Sequence, residues 1–167
     1  MSLLKPDLIL GHVTDITPEL LQRHRLRGLI VDLDNTLIPY GSFAEALEVQ
    51  TWTGELLERG IKMYMVSNAL PERVAFWTQR LNFPGVGLAS KPLPRAFKKA
   101  VKRMGLQSRQ VAMVGDQLFT DVLGGNLIGA FTIMVRPLSD NALPHTKFTR
   151  RMEQLVLRRF SSSFTGD

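Results

Sequence analysis
The chain has 167 residues, 44% apolar and 22% charged, which is an ordinary balance for a globular protein able to bury a sizeable core. It contains no cysteine, so disulfides and thiolate metal sites are excluded, and no apolar run reaches the ~18 residues of a bilayer span. Twenty-one bases against 15 acids leave a formal charge of +6, which favours anionic partners: phosphates, nucleic acid or acidic lipid headgroups. The N-terminus lacks a signal-peptide core, and the expected location is the cytoplasm.

Residues 1–16 read as an irregular lead-in with a short apolar patch, Leu8-Ile9-Leu10. Thr17-Pro18-Glu19 is a helix start, with an N-cap hydroxyl, proline at the first helical position and an acid in the first turn. Gly28 to Val31 is a short apolar run with β-branched residues, hence a buried strand. Pro39 to Ser42 reads as a turn or small flap. Phe43 to Arg59 reads as a helix whose Ala46, Val49, Trp52 and Leu56 share one face, closed by Gly60. A second strand is expected over Lys62–Val66, a helix over Pro71–Leu81 and a short strand over Val86–Ala89. A basic helix follows over Pro94–Met104, ended by Gly105. Val111–Val114 is a fourth strand, a helix begins near Thr120, and Phe131–Val135 is a fifth strand. Strand alternating with helix calls for a mostly parallel sheet covered on both faces.

Chemistry-bearing residues sit at the ends of these strands. Asp32, Asp34 and Thr36 follow the first, Ser67 and Asn68 the second, Lys91 the third, and Asp116 with Asp121 the fourth. In a parallel sheet the carboxyl ends share one edge, so these groups converge on one crevice. Asp32 and Asp34 leave the sheet on the same side if strand geometry lasts that far; the alternative is a turn in which the acids only bond backbone. Asp32 and Asp116 are hard oxygen ligands suited to Mg²⁺. Ser67 offers a hydroxyl and Lys91 a positive charge to phosphoryl oxygens. A carboxylate beside a cation can act as nucleophile, and a second, Asp34, can protonate a leaving alkoxide and then activate water.

The order Asp32-Leu33-Asp34-Asn35-Thr36, Ser67, Lys91, then Gly115-Asp116 with Asp121 five positions on, resembles the haloacid dehalogenase-like phosphohydrolase superfamily. That resemblance covers about residues 17–137 of what is expected to be a single domain over 1–167. It implies a Rossmann-like three-layer α/β sandwich around a mostly parallel sheet of five strands or slightly more. It also implies Mg²⁺-dependent hydrolysis of a phosphate monoester through an aspartyl-phosphate. Asp32 then corresponds to the nucleophile and a metal ligand. Asp34 corresponds to the general acid and base, with its backbone carbonyl on the metal. Thr36 would brace the loop beside the phosphate, Ser67 and Asn68 would hold the phosphoryl group, and Lys91 would neutralise developing charge. Asp116 would bind the metal and Asp121 would support its shell or orient Lys91. Gln117 stands where many relatives have a second acid, which leaves the division between Asp116 and Asp121 open.

Superfamily cap modules lie after the first motif or between the second and third. Here those gaps are 33 and 24 positions, too short for a cap. An open site suits large substrates. The stretch Gly115 to Asn126 resembles the small IIIA-type branch, which includes phosphatidylglycerophosphate phosphatases, so a membrane phospholipid substrate and peripheral membrane contact are implied. Nucleic acid is not expected, since charge alone supports it. A phospho-receiver or inactive phosphate-binding module on the same fold is the alternative.

From Lys91 to Gln110 there are seven bases and no acid, either a solvated helix face or an anionic docking patch. Residues 144–160 read as a basic amphipathic helix with Phe148, Met152, Val156 and Phe160 on one stripe, packed on its own domain or lying at a lipid interface. Residues 161–167 are expected to fray. His12, His24 and His145 lack metal-ligand spacing, Trp52 and Trp77 read as core, and Gly124-Gly125 as a site of close packing.

Overall fold
The computed structural model describes residues 2–139, 151 and 153–158. Its elements are β1 (Leu8–Leu10), α1 (Pro18–Arg23), β2 (Gly28–Val31), α2 (Leu47–Glu58), β3 (Lys62–Val66), α3 (Pro71–Leu81), β4 (Gly85–Val86), α4 (Pro94–Met104), β5 (Val111–Gly115), α5 (Leu123–Leu127) and β6 (Phe131–Val135). The strands form a six-stranded sheet in the order β1-β6-β5-β2-β3-β4, and every pairing is parallel.

The central strands are buried on both faces, and their alternation divides the core in two. Leu29 and Val31 of β2, Met63 and Met65 of β3, and Ala112 and Val114 of β5 pack with Leu21, Trp52, Leu56, Val74 and Trp77. Ile30, Tyr64, Val66, Val111 and Met113 face the other way, against Phe97, Ala100, Val101 and Met104 of α4. This is the three-layer arrangement expected, and both tryptophans are buried in it. α5 lies on the α4 face, where a Cβ on Gly124 would fall 2.4 Å from the Phe97 ring.

The sheet has one strand more than the five read from the sequence. Leu8–Leu10, an apolar patch within the expected irregular lead-in, is an edge strand paired with β6. α2 begins at Leu47 rather than Phe43, because residues 39–46 form an irregular flap; Ser42 N–H bonds Pro39 O, and Ala46 is the N-cap. β4 is two residues, Gly85–Val86, not Val86–Ala89. The helix expected near Thr120 opens instead with a π-helical turn over Leu118–Val122. Thr17 caps α1 as expected, accepting from Leu20 N–H at 3.2 Å.

Residues 151 and 153–158 of the expected C-terminal helix are helical. Val156 and Leu157 pack on Leu118, Val122 and Met134, so this segment lies on its own domain. The rest of 144–160, including Phe148, Met152 and Phe160, falls outside the described residues, as do His145 and 161–167.

Candidate active site
Chain order makes a switch point between β2 and β5. From β2 the chain moves outward through β3 and β4, then crosses back so that β5 lies on the other side of β2. The crevice at the carboxyl ends of two such strands is where open α/β sheets bind ligands. Asp32 directly follows β2, with its N–H on Val114 O at 3.0 Å, and Asp116 directly follows β5.

Asp32, Asp116 and Asp121 are all buried, and each offers a carboxylate oxygen within 4.8 Å of the others. Lys91 reaches into this group. Its Nζ donates to Asp32 Oδ1 at 2.8 Å and to Asp121 Oδ1 at 2.7 Å. Burial by itself disfavours the Lys91 ammonium, but Asp121 and Asp32 more than offset this, and its pKa is raised. Asp121 is pushed up to about 6, chiefly by burial and despite Lys91, with Asp32 adding repulsion. Its second oxygen accepts Gln117 N–H at 3.1 Å. Three carboxylates against one ammonium leave excess negative charge in a buried place, and hard oxygen donors so close together fit a divalent cation.

The Thr36 hydroxyl is fully buried between Asp116 Oδ1 (3.2 Å) and Asp32 Oδ2 (3.4 Å), where it ties the two strand ends together. Ser67 is buried after β3; its Oγ accepts Ala69 N–H at 3.0 Å and retains its own proton to donate. The Asn68 carboxamide accepts Lys91 N–H at 2.8 Å, which links the segments after β3 and β4, and among the described residues its own backbone N–H is unengaged.

Asp34 is expected on the side of Asp32 only if strand geometry lasts that far, and the chain forms the alternative, a turn. Strand geometry stops at Val31, and Leu33 O accepts the N–H groups of Thr36, Leu37 and Ile38 in a tight turn, with Asn35 at φ 61°. The Asp34 carboxylate therefore lies outside the buried triad. It is held by Arg73, with Nη2 at 2.7 Å and Nε at 3.0 Å from Oδ1, and by Gly41 N–H at 3.0 Å. Arg73 also donates to Ser42 O at 2.6 Å, and its guanidinium sits 4.9 Å from the Phe43 ring centroid. Sequence reading missed Arg73. A signal existed: α3 starts at Pro71, so Arg73 is a cation in a first turn, where the helix dipole favours acids.

A switch-point crevice with clustered carboxylates, a captive ammonium and a hydroxyl at neighbouring strand ends marks an α/β protein with groups suited to a metal ion and a phosphoryl group. Comparison with known proteins narrows the class. Residues 26–129 match the haloacid dehalogenase-like hydrolase family, and the chain belongs to that family. It is 38% identical over 152 residues to the probable phosphatase YqeG of Bacillus subtilis (strain 168), covering 91% of this chain and 88% of that one. It is 28% identical over 171 residues to the chloroplastic phosphatidylglycerophosphate phosphatase 1 of Chlamydomonas reinhardtii, covering 96% of this chain and 64% of the algal protein. In fold it resembles the cobalt-bound deoxy-D-mannose-octulosonate 8-phosphate phosphatase of Haemophilus influenzae, with a TM-score of 0.55 and 14% identity over 81% of this chain and 89% of that one. The chain is thus a phosphoric monoester hydrolase, and the receiver-module alternative is set aside.

Proposed function
We propose that this phosphatase depends on Mg²⁺, works through a covalent phosphate on Asp32, and acts on a phospholipid monoester such as phosphatidylglycerophosphate. The observation that carries the first two parts is the buried Asp32–Asp116–Asp121 cluster, with oxygens within 4.8 Å and Lys91 on two of its members. Asp32, the Asp34 backbone carbonyl and Asp116 would hold the ion, which supplies charge stabilisation to the phosphoryl oxygens.

In the first half-reaction an Asp32 oxygen attacks phosphorus and the ester P–O bond breaks, while Asp34, protonated from solvent on Oδ2 with Arg73 Nη2 still holding Oδ1, gives that proton to the departing alkoxide. In the second, water attacks phosphorus, Asp34 takes its proton, and the bond to Asp32 breaks to release inorganic phosphate. Ser67 O–H and Asn68 N–H donate to the transferring group, and Lys91 offsets its charge. Thr36 fixes Asp32 relative to Asp116, and Asp121 holds Lys91 in line. Oxygen ligands with room for substrate phosphate suit Mg²⁺ better than softer metals.

The lipid reading draws on the chain's likeness to the algal phosphatidylglycerophosphate phosphatase and on an uncapped crevice, since a flap, α2 and β3 are all that separate Asp34 from Ser67. No helix among the described residues is long and apolar enough to cross a membrane. The proposed place of work is peripheral, at the cytoplasmic surface of a membrane, a reading that the likeness to the algal phospholipid phosphatase and the net charge of +6 support.

Asp32→Asn should abolish turnover of a generic aryl phosphate, and Mg²⁺ removal should do the same to the wild type. Retained turnover in the variant would remove Asp32 from its role. A screen of phosphate esters that includes phosphatidylglycerophosphate tests the substrate; clear preference for soluble sugar or nucleotide phosphates would overturn the lipid assignment.

A further inference from the structure
Ten large apolar side chains are exposed among the described residues, and six of them (Tyr40, Phe43, Leu47, Leu70, Leu88 and Leu93) lie in or just beyond the segments that follow β2, β3 and β4. Because the sheet is parallel, those segments share its carboxyl edge with Asp32, Ser67 and Lys91. Exposed apolar surface is thus concentrated around the mouth of the catalytic crevice, which is where such surface marks an interaction site.

Three of the six are informative in themselves. Leu70, Leu88 and Leu93 are 63%, 59% and 61% exposed. Leu70 and Leu93 are the N-caps of α3 and α4, and neither position has a side-chain cap hydrogen bond. Serine, threonine or aspartate there would satisfy a helix N–H group that leucine cannot. Leu88 has φ 46°, in the left-handed region where glycine or asparagine is at ease and a branched side chain is strained. Each leucine forgoes local stability while most of its surface stays exposed, so packing within the fold accounts for only a minor part of any of them.

Charge indicates what covers them. α4 begins immediately after Leu93 with exposed Arg95, Lys98 and Lys99, and the stretch Lys91–Gln110 contains no acid. The exposed acids of this edge are Glu45 in the flap, Glu48 in the first turn of α2 and Glu72 in the first turn of α3, so beside these leucines the acid-free stretch lies on the Leu88–Leu93 side and Leu70 has one acid next to it. An apolar rim flanked by cations on the Leu88–Leu93 side matches the boundary between acyl chains and anionic headgroups.

We propose that Leu70, Leu88 and Leu93 enter the surface of an anionic bilayer while the first turns of α4 contact its headgroups, which brings the crevice to the level of a lipid phosphate. The proposal rests on the lipid-substrate reading for its purpose but not for its geometry.

The test compares full-length wild type with Leu70→Ser/Leu88→Asn/Leu93→Ser. Three quantities are read: co-sedimentation with vesicles of phosphatidylcholine and phosphatidylglycerol in equal parts, turnover of phosphatidylglycerophosphate in those vesicles, and turnover of a soluble aryl phosphate. The variant should match or exceed the wild type in Tm, since each replacement suits its backbone position, and should keep its aryl phosphatase activity. Its vesicle affinity and vesicle-borne turnover should each fall by about tenfold or more. The control is Arg27→Ala/Arg109→Ala, at a hollow of about 790 Å³ on the opposite, amino edge that is also lined by Arg25 and Arg59. It should lower vesicle affinity less than the charge-neutral triple variant does; a loss as large or larger would make the amino edge the docking face and overturn the rim. Unaltered vesicle affinity in the triple variant would overturn it too, as would wild-type self-association abolished by the same changes, which would make a second copy the occupant. If the rim binds vesicles but only soluble esters are hydrolysed, the docking surface stands and the lipid-substrate reading falls.

Discussion
The Asp34 carboxylate is ionically paired, with Arg73 bridging it to Ser42 O and the Phe43 ring, so one side chain joins the proposed acid and base to the flap. A guanidinium gripping both carboxylate oxygens fixes orientation as well as charge. We expect Arg73→Ala to lower kcat by about 10- to 100-fold with little change in KM, because misplacing a proton-transfer group by an ångström costs on that order. Acid quenching should show phosphoenzyme accumulating, since the water-activating half-reaction needs Asp34 most. Arg73→Lys should restore part of the rate; a variant whose loss tracks only a fall in Tm would make Arg73 a structural residue. Lys91 is a different case. Its removal strands Asp32 and Asp121, both buried, so Lys91→Met should destabilise the metal-free protein by about 3–5 kcal/mol in urea titration as well as abolish turnover. Lys91 and the acids were legible in the sequence because their types and order announce phosphoryl chemistry. Arg73 was not, because its meaning depends on a turn that carries Asp34 away from the strand direction.

Elements bounded by strong local chemistry were legible to the residue. Proline at the first helical position marks α3 and α4, Gly105 in the left-handed region ends α4, and short runs rich in apolar and β-branched residues define β3 and β6. Those that failed are held by tertiary pairing. β1 is three residues that become a strand only because β6 offers a free edge, and Asp7 reinforces the pair through Thr132. The π-helical turn over Leu118–Val122 has no composition signal; it sits where Asp121 reaches back to Gln117 N–H and Lys91. Close packing at Gly124 follows from the sequence, and the structure makes its cause specific. Gly124→Ala would drive a methyl group into the Phe97 ring, and overpacking of this kind costs about 1–3 kcal/mol. A Tm lower by several degrees with Mg²⁺-dependent turnover retained at low temperature is the expected result. An unchanged Tm would show that α5 shifts freely against α4.

At the scale of the whole molecule the buried acid cluster couples stability to pH and to metal. In the metal-free protein the Asp121 pKa is about 6, whereas an unfolded chain holds an aspartate near its ordinary 3.8. The folded state therefore binds the extra proton, so Asp121 contributes stability below pH 4 that is lost as pH rises through 6. The size of the effect is on the order of 1–3 kcal/mol, since each tenfold difference in proton affinity between folded and unfolded chains is worth about 1.4 kcal/mol. Lys91, raised in the folded state, has the same sign but acts only above pH 10. Between pH 4.5 and 7.5 the metal-free protein should lose several degrees of Tm, and Asp121→Asn should flatten that slope. A divalent cation bound by the neighbouring carboxylates favours the ionised cluster, so saturating Mg²⁺ should raise Tm most at the upper end of the range and shrink the dependence. Asp116→Asn should weaken this rescue, since it removes one carboxylate of the three. Scanning calorimetry in chelator and in Mg²⁺ across the range separates these effects. A metal-free Tm that rose with pH would mean that Asp121 is already ionised well below 6, and the extra proton assigned to it would be overturned.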